Sequence, residues 1–290
     1  AMKSTVISSF SVVLNIFLKA VFIFGFWIFP EMGIAGAALA TVIAKAAELL
    51  WLFAESYREG RIHLRMRYVI HTDPLLRKDF WKYTTPVLAN EMVWGCGFTM
   101  YSVIMGHLGS DAVAANSIAN IVKNLIACFC SGIGNGGGIL VGNELGQGNL
   151  EKARSYGGRL CRISIVSGII SGLVLLALSP LILSVSNLSD VSVGYLRGML
   201  LICSYYMIGR AVNATTIAGI FCAGGDSRFG LLCDTIVMWV IAVPLGLISA
   251  FVLNLPVLAV YFVISLDEMV KLPAVYRHYK KYAWVKDLTR

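Results

Sequence analysis

The sequence contains few charged residues. Asp, Glu, Lys and Arg together make up 14% of the 290 residues, whereas 58% are hydrophobic. An average soluble domain carries about 25% charged residues and about 45–50% apolar ones. The shortage of charge therefore excludes a water-soluble globular domain. The composition indicates a protein whose surroundings are a lipid bilayer.

The signatures of metal and disulfide chemistry are also missing. The seven cysteines fall almost entirely inside apolar runs, none forms a C-x-x-C pair, and the four histidines are scattered. Zinc sites and disulfide frameworks require paired or closely spaced side chains. The cysteines are therefore interpreted as small buried thiols.

Catalytic motifs are absent from the sequence as well. It contains no H-E-x-x-H, no G-x-S-x-G and no pair of aspartates at mid-membrane depth. Gly132, Gly134 and Gly137 form a G-x-G-x-x-G, but no strand pattern precedes it, as a dinucleotide site would require. Such glycines let membrane helices approach closely or bend. We therefore expect no enzymatic activity and no cofactor.

Long apolar runs are the main positive feature of the sequence. A membrane-spanning helix needs about 20 predominantly apolar residues. Eight runs reach that length, at about 5–29, 33–54, 84–106, 112–140, 160–185, 195–222, 230–253 and 256–274. The sequence therefore predicts an all-α polytopic membrane protein with about eight transmembrane helices.

Basic residues are concentrated on one side of these runs. Of the 24 Lys and Arg residues, 19 lie in the set of loops that includes both ends of the chain and residues 57–82. The connections near Glu31, Asp111, Asp190 and Asn254 contain none. Because cytoplasmic loops carry the excess of Lys and Arg, both termini are predicted to be cytoplasmic, in the cell (inner or plasma) membrane. The net charge of +8 then reflects topology and anionic lipid, and no nucleic-acid partner is expected.

The first and last pairs of runs are weakly similar. Each pair ends with an acid three residues from a lysine, Lys45/Glu48 in the first and Glu268/Lys271 in the last. Lys45 and Glu48 are expected to form a local ion pair. The repeat predicts two homologous bundles, of which the second has six spans (84–274) and the first is represented by its last two.

Three separated segments resemble one family. The fifth and sixth spans of multidrug and toxic compound extrusion (MATE) transporters resemble "NIFLKAVFIFGFWIFPEMGIAGAALATVIAKAAELLW". Their seventh-to-ninth-span region is similar to "MGHLGSDAVAANSIANIVKNLI" followed by "GILVGNELGQGNLEKARSYG". Their tenth-to-eleventh-span junction is similar to "FCAGGDSRFGLLCDTIVMWVIAVPLG".

The resemblance implies two six-helix lobes, with this chain beginning at the fifth helix. Residues 1–56 would then be the last two helices of the first lobe and 57–82 a cytoplasmic interlobe linker. Residues 83–276 would be the second lobe and 277–290 a cytoplasmic tail. The four helices that would come first, and the first-helix acid that many members use for proton coupling, are not expected in this sequence.

The same resemblance implies a secondary antiporter. It would export small amphipathic, often cationic compounds in exchange for H⁺ or Na⁺ by alternating access between two lobes. Its partners would be the lipid bilayer and those compounds. Two alternatives stay open: a lipid-linked oligosaccharide flippase of the same superfamily, expected if Lys123, Arg210 and Lys19 face one space, and an inactive fragment.

Glu91 is the first candidate for cation coupling. A charged group inside the bilayer costs about 2.5–3.5 kcal/mol on insertion scales, so such acids are usually functional. Glu91 follows Pro86, which frees backbone carbonyls that a cation could use. It could bind a proton, Na⁺ or a cationic drug, or be neutralised by a basic neighbour. Many MATE members carry a glutamate in the corresponding helix, often paired with an aspartate in the tenth span, but the span here has no acid.

Other polar residues in the runs are candidates for the substrate cavity. Asn116, Asn120 and Asn124 form one stripe with Lys123 beside it, which predicts either a cavity wall or interhelical packing. Tyr206, Arg210 and Asn213 share a face of the sixth run. Arg210 is a candidate counter-ion of Glu91, which would make both structural, and a packing role and a gating role both stay open. Asp234, near the cytoplasmic end of the seventh run, is either an interfacial anchor or a second coupling acid.

Overall fold

The structure is a computed structural model that describes residues 2–25, 31–57 and 74–286. The predicted linker residues 58–73 and the end of the predicted tail, 287–290, lie outside the described residues. The described elements are all helical, as the apolar runs predicted. Contacts divide the chain into two compact units, Ala1–Arg77 and Lys78–Arg290.

The first unit is an antiparallel helical hairpin. Helix α1 covers Met2–Phe24 and α2 covers Gly33–Ser56. The buried Ser11 hydroxyl donates to the main-chain oxygen of Ala44 at 3.1 Å. The predicted ion pair is confirmed, because Lys45 Nζ lies 2.7 Å from Glu48 Oε2.

The second unit begins with three long helices and a shorter fourth. Helix α3 covers Pro74–His107, α4 covers Ser110–Gly146, α5 covers Leu150–Val185 and α6 covers Asp190–Asn213. Helix α6 continues without a break into a π-helical segment, Ala214–Phe221. Since α3 starts at Pro74, its first turns belong to the segment that the sequence assigned to the linker.

The remaining helices are shorter. After the turn at 222–226, one continuous helical segment extends from Ser227 to Val252. It consists of α7 (Ser227–Thr235), a π-helical stretch, α8 (Val243–Leu247) and a second π-helical stretch that ends at Val252. Helix α9 covers Val257–Ile264 and α10 covers Asp267–Lys280. The predicted last run at 256–274 is therefore two helices with a break at 265–266.

Six helices of the described residues are long and apolar enough to cross a bilayer: Val6–Phe24, Gly33–Glu55, Ser110–Gly146, Leu150–Val185, Asp190–Phe221 and Ser227–Val252. Helix α3 and the α9–α10 pair carry more charge or are shorter. They correspond to the other two predicted spans, so the count of eight stays a prediction.

Two hydrophobic clusters stabilise the second unit. The first includes Ala127 on α4, Ala211 on α6 and Ile264 on α9. The second includes Val141 on α4 and Val275 on α10. Asn213, Glu268 and Lys271 lie along the chain between residues of the first cluster and residues of the second, and all three are buried.

Candidate functional site

The second unit contains a cavity of about 250 Å³, and Ile217 of the second hydrophobic cluster is one of its lining residues. Helices α3, α4, α6, α7 and α10 all contribute side chains to its wall. Its charged lining residues are Glu91, Arg210, Asp234, Glu268 and Lys271. Amides and a hydroxyl complete the polar lining: Asn90, Ser131, Asn135 and Asn213. The predicted site residues Arg210, Asn213 and Asp234 therefore line the same cavity as Glu91.

Glu268 is the centre of the charged network. Its carboxylate lies 3.3 Å from Arg210 Nη1 and 3.8 Å from Lys271 Nζ. The Asn213 amide nitrogen donates to Glu268 Oε2 at 2.6 Å and to its main-chain oxygen at 2.8 Å. The side chain is 1% exposed, and a buried carboxylate is tolerated when it is paired and hydrogen-bonded in this way. Arg210 is thus bonded to Glu268, not to Glu91.

A second ion pair completes the network. Lys271 Nζ lies 2.7 Å from Asp234 Oδ1, and both side chains are buried. This pair connects α7 to α10. Asp234 is therefore placed inside the bundle and bound to a lysine.

The charges of the cavity pair off except for one. Arg210 pairs with Glu268 and Lys271 pairs with Asp234. Glu91 is exposed and has no ion-pair partner among the described residues. With both pairs neutral, the lining carries one net negative charge.

Two amide oxygens near Glu91 lack donors. Asn213 must direct its nitrogen at Glu268, since both of its partners there are oxygen atoms. Its Oδ1 consequently points away from Glu268 and, like Asn90 Oδ1, receives no hydrogen bond from the described part of the chain. Buried acceptors without donors are uncommon in native structures. Both oxygens belong to residues of the cavity wall but are themselves enclosed by protein atoms, so the unpaired Glu91 carboxylate is the feature of the wall that favours a positively charged occupant.

The predicted residues Lys123 and Tyr206 line a different, smaller cavity of about 20 Å³. Lys123 Nζ lies 5.0 Å from the centre of the Tyr206 ring. Asp267 lines the same cavity and accepts a hydrogen bond from the Tyr101 hydroxyl at 3.3 Å. Trp94 lines both cavities. Lys123 and Arg210 therefore do not line a common cationic space.

The asparagine stripe is divided by its environment. Asn116 is buried, and the Asn120 amide nitrogen donates to Asn116 Oδ1 at 3.1 Å. Asn124 is exposed. None of the three lines the two cavities described above.

Sequence reasoning missed the contribution of α10. Asp267 was not considered, and Glu268 and Lys271 were noticed only as part of the repeat. The signal was present in "SLDEMVKLP", which puts two acids and a lysine into a predicted span. Each charge in such a segment requires an explanation.

Comparisons with known proteins place this architecture in context. The MatE family model matches residues 86–248, more than half of the chain. An uncharacterized transporter of Bacillus subtilis, YisQ, is 22% identical over 281 residues, which cover 94% of this chain and 60% of YisQ. The probable multidrug resistance protein YoeA of the same organism is 25% identical over 287 residues, with coverage of 95% and 60%.

A solved structure has the same fold. The MOP superfamily transporter from Pyrococcus furiosus superposes with a TM-score of 0.80 at 18% identity, covering 94% of this chain and 60% of that one. The chain thus spans about 60% of the length of these relatives.

Proposed function

Because the chain belongs to the MATE family, whose members are membrane transporters and not enzymes, we propose that the full-length protein is a secondary antiporter. It exports amphipathic, cationic compounds in exchange for H⁺ or Na⁺ and alternates access between two lobes. Helices α1 and α2 end the first lobe, residues 83–276 form the second, and both ends of the chain lie in the cytoplasm. The relative YoeA is named a probable multidrug resistance protein, which supports drugs as the cargo.

The unpaired carboxylate of Glu91 is the observation that carries this proposal. The other four charges of the cavity lining neutralise one another within 3.3 Å. A cation that enters the cavity therefore meets one uncompensated negative charge, that of Glu91. The Coulomb attraction of this charge for a cation is not cancelled by a basic side chain of the described residues.

Exchange of a drug for the coupling ion is possible when both cations bind the same carboxylate in turn. A drug cation and the coupling ion, H⁺ or Na⁺, compete for Glu91, and each stabilises a different orientation of the lobes. A ligand shifts such an equilibrium only through its different affinities for the two states. No resident cofactor is needed.

The flippase alternative has no supporting observation. It was expected to show a shared cationic space, whereas Lys123 and Arg210 line different cavities and Arg210 is paired with Glu268.

The test is ethidium efflux by the full-length protein in cells that lack their own multidrug pumps. Glu91→Gln removes the charge and preserves the size of the side chain, and we expect coupled efflux to be abolished while the protein still accumulates in the membrane. Glu151→Gln is the matched control, since Glu151 is exposed in the first turn of α5, away from the cavity. Unchanged efflux by the Glu91→Gln variant would refute the assignment.

A further inference from the structure

A second polar cavity lies at the opposite end of α3 from His107. It has a volume of about 230 Å³ and is formed by the start of α3, the turn before α7 and the end of the described chain. Three basic side chains, Lys82, Arg228 and Lys286, line it from these three separate segments. We call it the basic cavity.

The positive charge of the basic cavity is not neutralised by the part of its lining that the structure describes. Among the described residues, the one acidic side chain in the lining is Asp226. The Asp226 carboxylate is already bound to His278 Nε2 at 2.7 Å. None of the three basic side chains forms an ion pair with a carboxylate of the described residues. The described lining residues therefore carry an excess of two positive charges, which would attract an anion.

A cavity with a mainly apolar lining adjoins the basic one. It has a volume of about 250 Å³ and shares Tyr83, Gly225 and Ser227 with the basic cavity. Its other lining residues are Val87, Cys222 and Ala223. A cationic compartment joined to an apolar one matches a molecule with an anionic head and a hydrocarbon body.

The position of the two cavities points to the source of such a molecule. The distribution of basic residues predicts that the 222–228 turn and the start of α3 lie at the cytoplasmic face. Anionic phospholipids are enriched in that leaflet, and each nearby Lys or Arg adds to their attraction.

We propose that the basic cavity binds the phosphate of an anionic phospholipid whose glycerol and acyl region occupies the apolar cavity. Lys82, Arg228 and Lys286 hold the phosphate, and Tyr83 lies where the headgroup meets the apolar part. This site is separate from the cavity of Glu91, with which it shares no lining residue.

Native mass spectrometry of the purified full-length protein tests the site. The protein is incubated with phosphatidylglycerol or phosphatidylcholine, and lipid retention is compared between the wild type and the triple variant Lys82→Ala/Arg228→Ala/Lys286→Ala. We expect the wild type to prefer phosphatidylglycerol and the variant to retain it at least about tenfold less. Arg228→Ala alone, at an exposed position, gives a smaller loss in the same direction if the triple variant does not fold.

The matched control removes three other basic residues from the predicted cytoplasmic side. Lys152, Arg159 and Arg162 are exposed on α5, and their triple alanine variant should retain phosphatidylglycerol like the wild type. Equal losses in both triple variants would reduce the effect to general surface charge and overturn the site. Full retention by the cavity variant would also overturn it.

A further variant distinguishes a lipid from a free anion. Val87→Trp narrows the apolar cavity without changing any charge, so we expect it to weaken phosphatidylglycerol retention. Millimolar inorganic phosphate should not displace the lipid. Displacement by phosphate together with unchanged retention by Val87→Trp would mean that the cavity binds a small anion, and the lipid proposal would be wrong.

Discussion

Lys271 Nζ lies 2.7 Å from Asp234 Oδ1, with the two side chains 2% and 8% exposed. Lys271 lies on α10 and Asp234 on α7, so this contact connects two of the helices that line the cavity of Glu91. A buried ion pair is costly to assemble, but it is more costly to break, because the remaining partner is a buried charge without compensation. The pair therefore favours a structural role for Asp234 over a role in ion coupling.

Asp234→Asn is predicted to destabilise the protein. Removing one partner of a buried pair costs about 3–5 kcal/mol, and Glu268 at 3.8 Å compensates Lys271 only in part. Thermal unfolding in detergent should show a clearly lower midpoint, whereas Asp190→Asn, at an exposed position, should leave it nearly unchanged. If Asp234→Asn unfolds like the wild type but loses ion-coupled efflux, then Asp234 is a coupling acid and the structural role is wrong.

Contacts at short sequence separation could be predicted, and distant ones could not. Lys45 and Glu48 are three residues apart on one helix, so helical geometry alone brings them together. Arg210 and Glu268 are 58 residues apart, and no local periodicity relates the rotation of α6 to that of α10. For this reason the sequence identified Arg210 as a buried charge that required a partner but suggested Glu91, on a different helix, as that partner.

The glycine-rich half of α4 is predicted to act as a helix-packing surface. A Cβ atom on Gly219 would lie 2.6 Å from the main-chain oxygen of Gly134, and one on Gly138 would lie 3.0 Å from that of Gly219. Gly134 and Gly138 are four residues apart, the spacing that lets membrane helices pack closely. Gly219→Val should therefore force α4 and the 214–221 segment apart, reduce the free energy of unfolding by about 1–3 kcal/mol and lower the unfolding temperature.

Gly132→Val is the control for that substitution. No atom lies within 4 Å of a Cβ built at Gly132, and valine favours a helix more than glycine does. We expect its unfolding temperature to equal or exceed that of the wild type. A similar loss in both variants would show that backbone flexibility, and not close packing, is what these glycines supply.

Within the asparagine stripe on α4, the buried Asn116 is predicted to contribute to packing, whereas the exposed Asn124 is predicted to be dispensable. Asn116→Ala removes the acceptor of Asn120 within the same helix, and an amide pair at this i,i+4 spacing contributes about 0.2–0.5 kcal/mol. Asn124→Ala, at an exposed position, should change neither stability nor ethidium efflux of the full-length protein. A large loss of efflux in the Asn124→Ala variant with normal stability would return this residue to the substrate pathway.

Trp284 is predicted to fix the end of the chain to the second unit. The sequence assigned residues 277–290 to a cytoplasmic tail, yet the Trp284 side chain is 0% exposed and belongs to the same hydrophobic cluster as Leu160 and Phe221. A local reading could not foresee this, because the ring packs against Gly157, which lies more than a hundred residues earlier. Truncating a buried tryptophan costs about 3–5 kcal/mol.

Trp284→Ala should therefore lower the unfolding temperature and make the residues after α10 more susceptible to protease. Tyr276→Ala is the matched control, because Tyr276 is an aromatic residue of α10 that is 59% exposed. It should leave both measurements near the wild-type values. If the tail were exposed, protease would cut the wild type and both variants equally after α10, and that result would contradict the packing of Trp284. Faster cleavage of the Trp284→Ala variant alone would support it.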